Sequence, residues 1–300
     1  MEIVYLLGVF LASLAAVAWA VNNIAIRIGT ADRGVSDALA AVMLTNAAVL
    51  APVAAVVHYP DYGLSVRSIA AFGAAGITGL LIGRICLFRG IRTIGASRTT
   101  PVVSASTLVS AVLAVRFLDE TLTAAHAVGI LLIVAGIAII SWLMATDGGG
   151  PTSLRETGLL LALPLSAAFF IGIEPIFVRV GLDSGTPVLV GLAVMSTAAL
   201  AGYVVYQRLR RGTVRPPWHS PARRWYLVAG VSSTIGLVSY FVALTVAPVV
   251  VVIPIIQSSP LVVLGLSAVF LSRRLERVTW RLAAAAVVVI VGATLVSLSG

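Results

Sequence analysis

The apolar positions of this chain fall in long runs that few polar residues interrupt. Ten such runs lie near residues 4–26, 36–57, 69–91, 95–117, 124–145, 158–180, 187–207, 225–246, 249–271 and 279–298. Each is close to the roughly 20 apolar residues that a helix needs to cross the core of a bilayer. The pattern therefore predicts an all-α integral membrane protein with ten transmembrane helices joined by short connections.

The composition agrees with this pattern. Only 10% of the residues are charged, against about 25% in soluble domains, and the mean hydropathy is +1.09. The first apolar run begins with MEIVY, which carries a glutamate and no basic residue, so we expect a retained helix rather than a signal peptide. The single cysteine, Cys86, excludes a disulfide within the chain.

All twenty basic residues are arginine, and their placement predicts the orientation in the membrane. Sixteen lie in or beside the connections after the first, third, fifth, seventh and ninth helices, and three lie after the second, fourth, sixth and eighth. Because cytoplasmic loops carry the excess of positive charge, both termini are predicted to lie outside and the loop Arg208–Arg224 inside. Arginines scattered over helix ends are typical of a multi-pass protein of the cell membrane and argue against nucleic-acid binding.

The two halves of the sequence repeat each other. At a shift of 153 residues the two copies share glycine, phenylalanine, proline and serine at matching places, namely Gly83, Phe88, Pro101 and Ser106 with Gly236, Phe241, Pro254 and Ser259. At a shift of 152 the stretch NNIAIRIG meets EPIFVRVG. We therefore predict two five-helix repeats, residues 1–147 and 151–300. Because five is odd, the second repeat is inverted, and inverted repeats of transporters hold the substrate where they meet.

The sequence resembles a family of transporters. The segment AWAVNNIAIRIG is similar to the signature WG-x-N-F-x-x-x-K/R that opens each half of the drug/metabolite transporter superfamily, specifically its EamA-type members. The stretches IGASRTTPVVSASTLVSAVLAVRFLDETLT and PIIQSSPLVVLGLSAVFLSRRLERVT resemble the two copies of that family's fourth helix. The resemblance implies ten helices, a central cavity and transport of small metabolites, often export of amino acids. Ala20, Glu174 and Pro175 depart from the signature.

Two charged residues lie well inside predicted helices, where an ionisable group costs about 2.5–3.5 kcal/mol on insertion scales and usually has a function. They are Glu174 and Arg84. A buried carboxyl near a cation can exist in either protonation state, so we expect Glu174 to couple protons or to bind a substrate ammonium. The guanidinium of Arg84 suits a carboxylate or a phosphate. The alternative is a structural ion pair of Glu174 with Arg84 or Arg179.

Polar and aromatic residues of four further helices complete the predicted substrate site. They are Trp19, Asn22 and Asn23 in the first helix, Ser106 in the fourth, Tyr240 in the eighth, and Gln257 and Ser258 in the ninth. Prolines interrupt matching helices of the two halves, which is typical of a transporter site. The expected hinges are Pro101, Pro175 and Pro254. The alternative for these polar residues is ordinary helix packing with amide hydrogen bonds between helices.

The motifs HExxH, GxSxG and CxxC do not occur, so we expect neither an enzyme nor a metal or other cofactor. One buried acid and one buried arginine match the two ends of a zwitterion. The sequence therefore predicts a secondary transporter that moves an amino acid or related zwitterion by alternating access, as an exporter, with the proton as candidate coupling ion. The alternative is an exchanger of anionic organic metabolites, in which Arg84 and Arg98 hold the anion and Glu174 is structural.

Overall fold

The computed structural model describes residues 2–31, 34–117, 124–146, 154–211, 221–247, 252, 255–271 and 278–298. The regular structure in these ranges is helical. The helices are α1 Glu2–Gly29, α2 Val35–Val57, α3 Val66–Ala75, α4 Arg84–Ile94, α5 Ala96–Val103, α6 Ser106–Phe117, α7 Ala124–Thr146, α8 Leu154–Leu182, α9 Val188–Arg211, α10 Arg223–Val246, α11 Ser259–Phe270 and α12 Trp280–Leu298. A π-helical segment, Gly76–Gly83, joins α3 to α4 without a break.

Six helices of the described residues are long and apolar enough to cross a membrane. They are Tyr5–Gly29, Val35–Val57, Val66–Ile94, Gly158–Leu182, Val188–Leu209 and Arg223–Val246. Three shorter apolar helices lie at Ala124–Ile140, Ile255–Phe270 and Trp280–Leu295. The positions agree with the predicted runs and support a membrane protein, whereas the number of ten transmembrane helices stays a prediction.

The fourth and ninth predicted helices are interrupted. Helix α5 ends at Val103, and a turn at Ser104 and Ala105 separates it from α6. This break follows Pro101, whose ring removes a backbone donor and crowds the preceding turn. In the second half α11 begins at Ser259, with Pro260 in its first turn, where a missing donor costs little. Pro254 lies outside the described residues.

The sixth predicted helix behaves differently, because α8 continues through both of its prolines. Pro164 and Pro175 lie inside a single helix of 29 residues. The structure therefore shows no helix break at Pro175. Its role as a hinge stays a prediction.

The first helix of each half packs antiparallel against the third helix of the other half. In one pair Gly8 of α1 contacts Ala247, which follows α10, and the far end of α1 contacts the start of α10 through Gly29 and Tyr226. In the other pair, the end of α8 contacts α3 through Gly181 and Phe72. The first helix of each half therefore packs against the other half, and these contacts form part of the interface between the halves.

The two helix pairs also make equivalent contacts at equivalent residues. A Cβ added to Gly236 of α10 would lie 2.6 Å from the indole of Trp19 in α1. A Cβ added to Gly83 of the π segment would lie 2.8 Å from Cγ1 of Ile171 in α8. Gly236 and Gly83 are repeat counterparts, and so are Trp19 and Ile171. Both glycines thus allow an equally close approach of two helices.

Counterpart helices of the two halves also run antiparallel where they touch. The hydroxyl of Tyr203, late in α9, donates to the carbonyl of Ser36, early in α2. In α7 and α12, the carbonyl of Gly129 lies against Gly292, while Gly136 lies against Val289. An antiparallel relation between equivalent helices is what inverted repeats predict. The largest buried apolar cluster lies between these halves and joins α1, α2, α9, α10 and the π segment.

Candidate substrate site between the two halves

The guanidinium of Arg84 lies at the junction of the π segment and α4. Its Nη1 donates a 2.7 Å hydrogen bond to Oγ of Ser233 in α10. The side chain is buried, with 9% of its surface exposed. In the part of the chain that the structure describes, this is the one hydrogen bond of Arg84, so most of its N–H donors remain available.

Ser233, the hydrogen-bond partner of Arg84, belongs to a buried polar network. Oγ of Ser233 also accepts a 3.1 Å hydrogen bond from Nδ2 of Asn46 in α2. Oδ1 of Asn46 in turn accepts from the hydroxyl of Thr234 at 2.8 Å. We did not predict these three residues. A lone asparagine in the apolar run of α2 and the triplet SST in α10 were the available signals, because amides and hydroxyls within a membrane join helices.

Glu174 lies on α8 and is half-buried. Its carboxylate lies directly against Gly79, in the middle of the π segment. It interacts electrostatically with Arg84 and with Tyr240. Over the described ranges it forms neither a hydrogen bond nor an ion pair, with Arg84 or with any other residue.

The second pairing considered for Glu174 is wrong. Arg179 forms its ion pair with Asp183 instead, at 3.0 Å between Nε and Oδ1. Both side chains of that pair are exposed at the end of α8. Glu174 and Arg84 therefore interact electrostatically, and among the described residues neither forms a direct ion pair.

Trp19, Tyr240 and Phe241 form an aromatic cluster, and Tyr240 of this cluster interacts electrostatically with Glu174. The ring of Tyr240 lies 5.4 Å from that of Trp19 and 5.1 Å from that of Phe241, measured between centroids. Trp19 and Tyr240 are half-buried, and Trp19 rests on Gly236. Tilted rings at this separation attract each other. The structure thus brings four predicted site residues together, two from each half of the chain.

The two asparagines of α1 differ in their surroundings. Nδ2 of Asn22 donates to the carbonyl of Ala229 at 2.7 Å, and 3% of the residue is exposed. This is the interhelical hydrogen bond of the packing alternative. Asn23 is buried as well, but within the described chain its amide has no hydrogen-bond partner. A substrate contact at either asparagine stays a prediction.

The residues predicted on the interrupted helices are not seen in contact with the two charges. Oγ of Ser258 donates to the carbonyl of Ile255 in its own turn, at 2.6 Å. The side-chain nitrogen of Gln257 is buried and has no hydrogen-bond partner among the described residues. Ser106 is half-buried, and its carbonyl lies against Gly172 of α8. Their roles in the site stay predictions. Among the residues described, no group of His, Cys, Asp and Glu is placed to hold a metal ion.

A family model described as "EamA-like transporter family" matches the chain twice, at residues 6–142 and 156–298. The chain belongs to the EamA-like transporter family. That family is part of the drug/metabolite transporter superfamily, so the predicted resemblance is confirmed. The double match also agrees with a two-repeat architecture. This EamA-like protein is therefore a multi-pass membrane transporter of small solutes.

Comparison with solved structures agrees on the fold of this EamA-like protein. Sixteen chains of solved structures match it. One of them, titled "Crystal structure of protein", is 17% identical, with a TM-score of 0.64; the match covers 98% of this chain and 96% of the other. At this identity the likeness shows the fold alone. No curated protein matches the chain.

Proposed function

We propose that this EamA-like protein moves an amino acid or a related zwitterion, whose ammonium binds at Glu174 and whose carboxylate binds at Arg84. The observation that carries this proposal is that Arg84 is buried with Ser233 as its side-chain partner, and that Glu174 forms no ion pair with Arg84 or with any other residue in the described ranges. Burial of an isolated charge costs free energy. In a structural ion pair the two side chains would contact each other directly, which offsets part of that cost. A zwitterion between the two side chains would supply both missing counter-charges.

The remaining walls fit the same substrate class. The rings of Trp19 and Tyr240 lie against each other, and Tyr240 interacts electrostatically with Glu174. Aromatic faces attract an ammonium group, and their apolar surface suits the side chain of an amino acid. An organic dianion fits less well, because Glu174 would repel it next to Arg84.

Movement of the substrate is proposed to occur by alternating access, with the two repeats rocking about the site. The antiparallel packing of counterpart helices supports this, and so do the interruptions after Pro101 and before Ser259. Glu174 would carry the proton that drives transport, because it is the ionisable carboxyl at the site. Net export is proposed on the basis of the family.

The test is counterflow and uptake in proteoliposomes with a panel of amino acids and organic anions, with and without a pH gradient. Wild-type protein is compared with Glu174→Gln, which keeps the shape of the side chain and removes its charge. We expect an amino acid to exchange in the wild type, and the variant to lose the response to the gradient. Asp183→Asn is the matched control, because it neutralises an exposed carboxylate at the end of the same helix.

Two results would contradict the proposal. Exchange of anions alone, unchanged in Glu174→Gln, would identify an anion exchanger in which Glu174 is structural. Equal loss of the gradient response in Asp183→Asn would show that the effect comes from surface charge rather than from the site.

A further inference from the structure

We infer that Gly79 is a positioning residue for Glu174: the missing side chain at position 79 leaves the space in which the carboxylate lies. This inference deepens the proposed function and rests on it for the transport readout. Gly79 lies in the π segment and has no side chain with which to bind a substrate directly. Its role would be to set where the negative charge stands relative to Arg84.

The contact between the two residues is close along the whole side chain. A Cβ added to Gly79 would overlap Oε2 and Cδ of Glu174, and it would lie 2.9 Å from the Cβ of Glu174. An alanine at position 79 therefore requires the carboxylate to swing away, and the approach to the Cβ of Glu174 requires a small shift of α8 from the π segment as well. Either change displaces the charge.

The repeat counterpart of Glu174 shows why a steric contact is needed here. Asn22 occupies the equivalent place in α1, and its amide is held by a hydrogen bond to the carbonyl of Ala229. Glu174 has no such bond within the described chain, and an ionised carboxylate cannot donate one to a carbonyl. Its place is therefore defined by the surfaces around it, and Gly79 is the surface on which it rests.

The backbone at Gly79 also differs from that of its counterpart helix. Residues Gly76–Gly83 form a π helix, whereas α10 is α-helical throughout Arg223–Val246. Short π-helical segments within α-helices are frequently found at functional sites. The one described π segment of this chain thus coincides with the place where a glutamate replaces the asparagine of the other repeat.

The experiment compares Gly79→Ala with two matched glycine variants. Gly73→Ala adds the same methyl group on α3, where nothing lies within 4 Å. Gly83→Ala adds it within the π segment, but against Ile171 of α8 rather than Glu174. The readouts are transport by the assay above, and the rate at which dicyclohexylcarbodiimide labels Glu174, followed by mass spectrometry with Glu174→Gln as the blank.

We expect Gly79→Ala to change the labelling rate of Glu174 and to lower kcat/KM for the substrate about 10- to 100-fold, since a displacement of about 1 Å can cost about 100-fold. Gly73→Ala should match the wild type, and Gly83→Ala should keep the wild-type labelling rate. Shortening the carboxylate in Gly79→Ala/Glu174→Asp should restore part of the transport lost in Gly79→Ala. A general packing defect would not be rescued in this way.

The outcomes separate this inference from the proposed function. Wild-type labelling and transport in Gly79→Ala would overturn the inference and leave the function intact. A changed labelling rate in a protein that transports no zwitterion would overturn the function and leave the positioning contact intact. If Gly79→Ala does not fold, the inference predicts that Gly79→Ala/Glu174→Gly, which removes the three atoms nearest the new Cβ, does. Failure of that double variant would show that Gly79 serves the backbone alone.

Discussion

Nη1 of Arg84 and Oγ of Ser233 form a 2.7 Å hydrogen bond that joins the first half of the chain to the second. Ser233 is fully buried and is held in turn by Asn46. Three helices, α2, α4 and α10, therefore set the position of one guanidinium. Because a single N–H of Arg84 is used, the network can hold the charge in place while other donors remain for a substrate carboxylate.

The first prediction concerns the stability of this network. In Ser233→Ala, Arg84 and Asn46 each lose their partner, and an unsatisfied buried donor costs about 1–3 kcal/mol. We expect the free energy of unfolding, measured in detergent micelles, to fall by about that amount. Ser232→Ala is the matched control, because Ser232 is also buried in α10 but forms no hydrogen bond among the described residues. Equal losses in both variants would contradict a role for the network.

The second prediction concerns recognition of a carboxylate. Arg84→Lys keeps the positive charge and loses the planar fork that matches a carboxylate. We expect the Kd of the transported amino acid to rise about tenfold or more, and the Kd of the corresponding amine, which has no carboxylate, to stay the same. Arg67→Lys, at an exposed position near the start of α3, serves as control. A similar loss for both ligands would mean that Arg84 acts on the fold rather than on the substrate.

The third prediction concerns the aromatic wall. Tyr240→Phe keeps the ring that contacts Trp19 at 5.4 Å, so we expect substrate affinity to remain within about twofold of the wild type. Tyr240→Leu removes the ring, and the loss of a cation–π contact of about 1–2 kcal/mol should raise Kd about 5- to 30-fold. Isothermal titration in detergent measures both. A rise in Kd for Tyr240→Phe as large as that for Tyr240→Leu would show that the hydroxyl, rather than the ring, contacts the substrate.

The fourth prediction concerns sidedness. The hydroxyl of Thr186 donates to the carbonyl of Gly63, so the connections after α2 and α8 lie on one side, and Arg27 donates to the carbonyl of Arg92 at the other end of the bundle. In a Cys86→Ser background, Asp61→Cys should react with an impermeant maleimide on intact cells. Arg224→Cys should react only after permeabilisation. The reverse pattern would overturn the predicted orientation, including that of both termini.

The sequence was sufficient for the positions of the helices, the repeat and the family. Apolar runs of about 20 residues determine helices in a membrane because backbone groups there must be satisfied within the segment. Pro101 also indicated where the fourth predicted helix is interrupted. Burial of a lone charge within an apolar run is costly wherever it occurs, and this pointed to Glu174 and Arg84 before any contact was known.

The contacts of these two charges depended on the tertiary structure alone. Ser233 lies 149 residues from Arg84, and neither periodicity nor composition relates them, because helices meet by the register of their side chains. The same holds for Gly79, which in the sequence is one small residue among many. The pair of Arg179 with Asp183 is different, because it is an i,i+4 contact that helical spacing alone allows. Helix positions follow from local apolar content, whereas which two side chains touch follows from how ten apolar segments pack against one another.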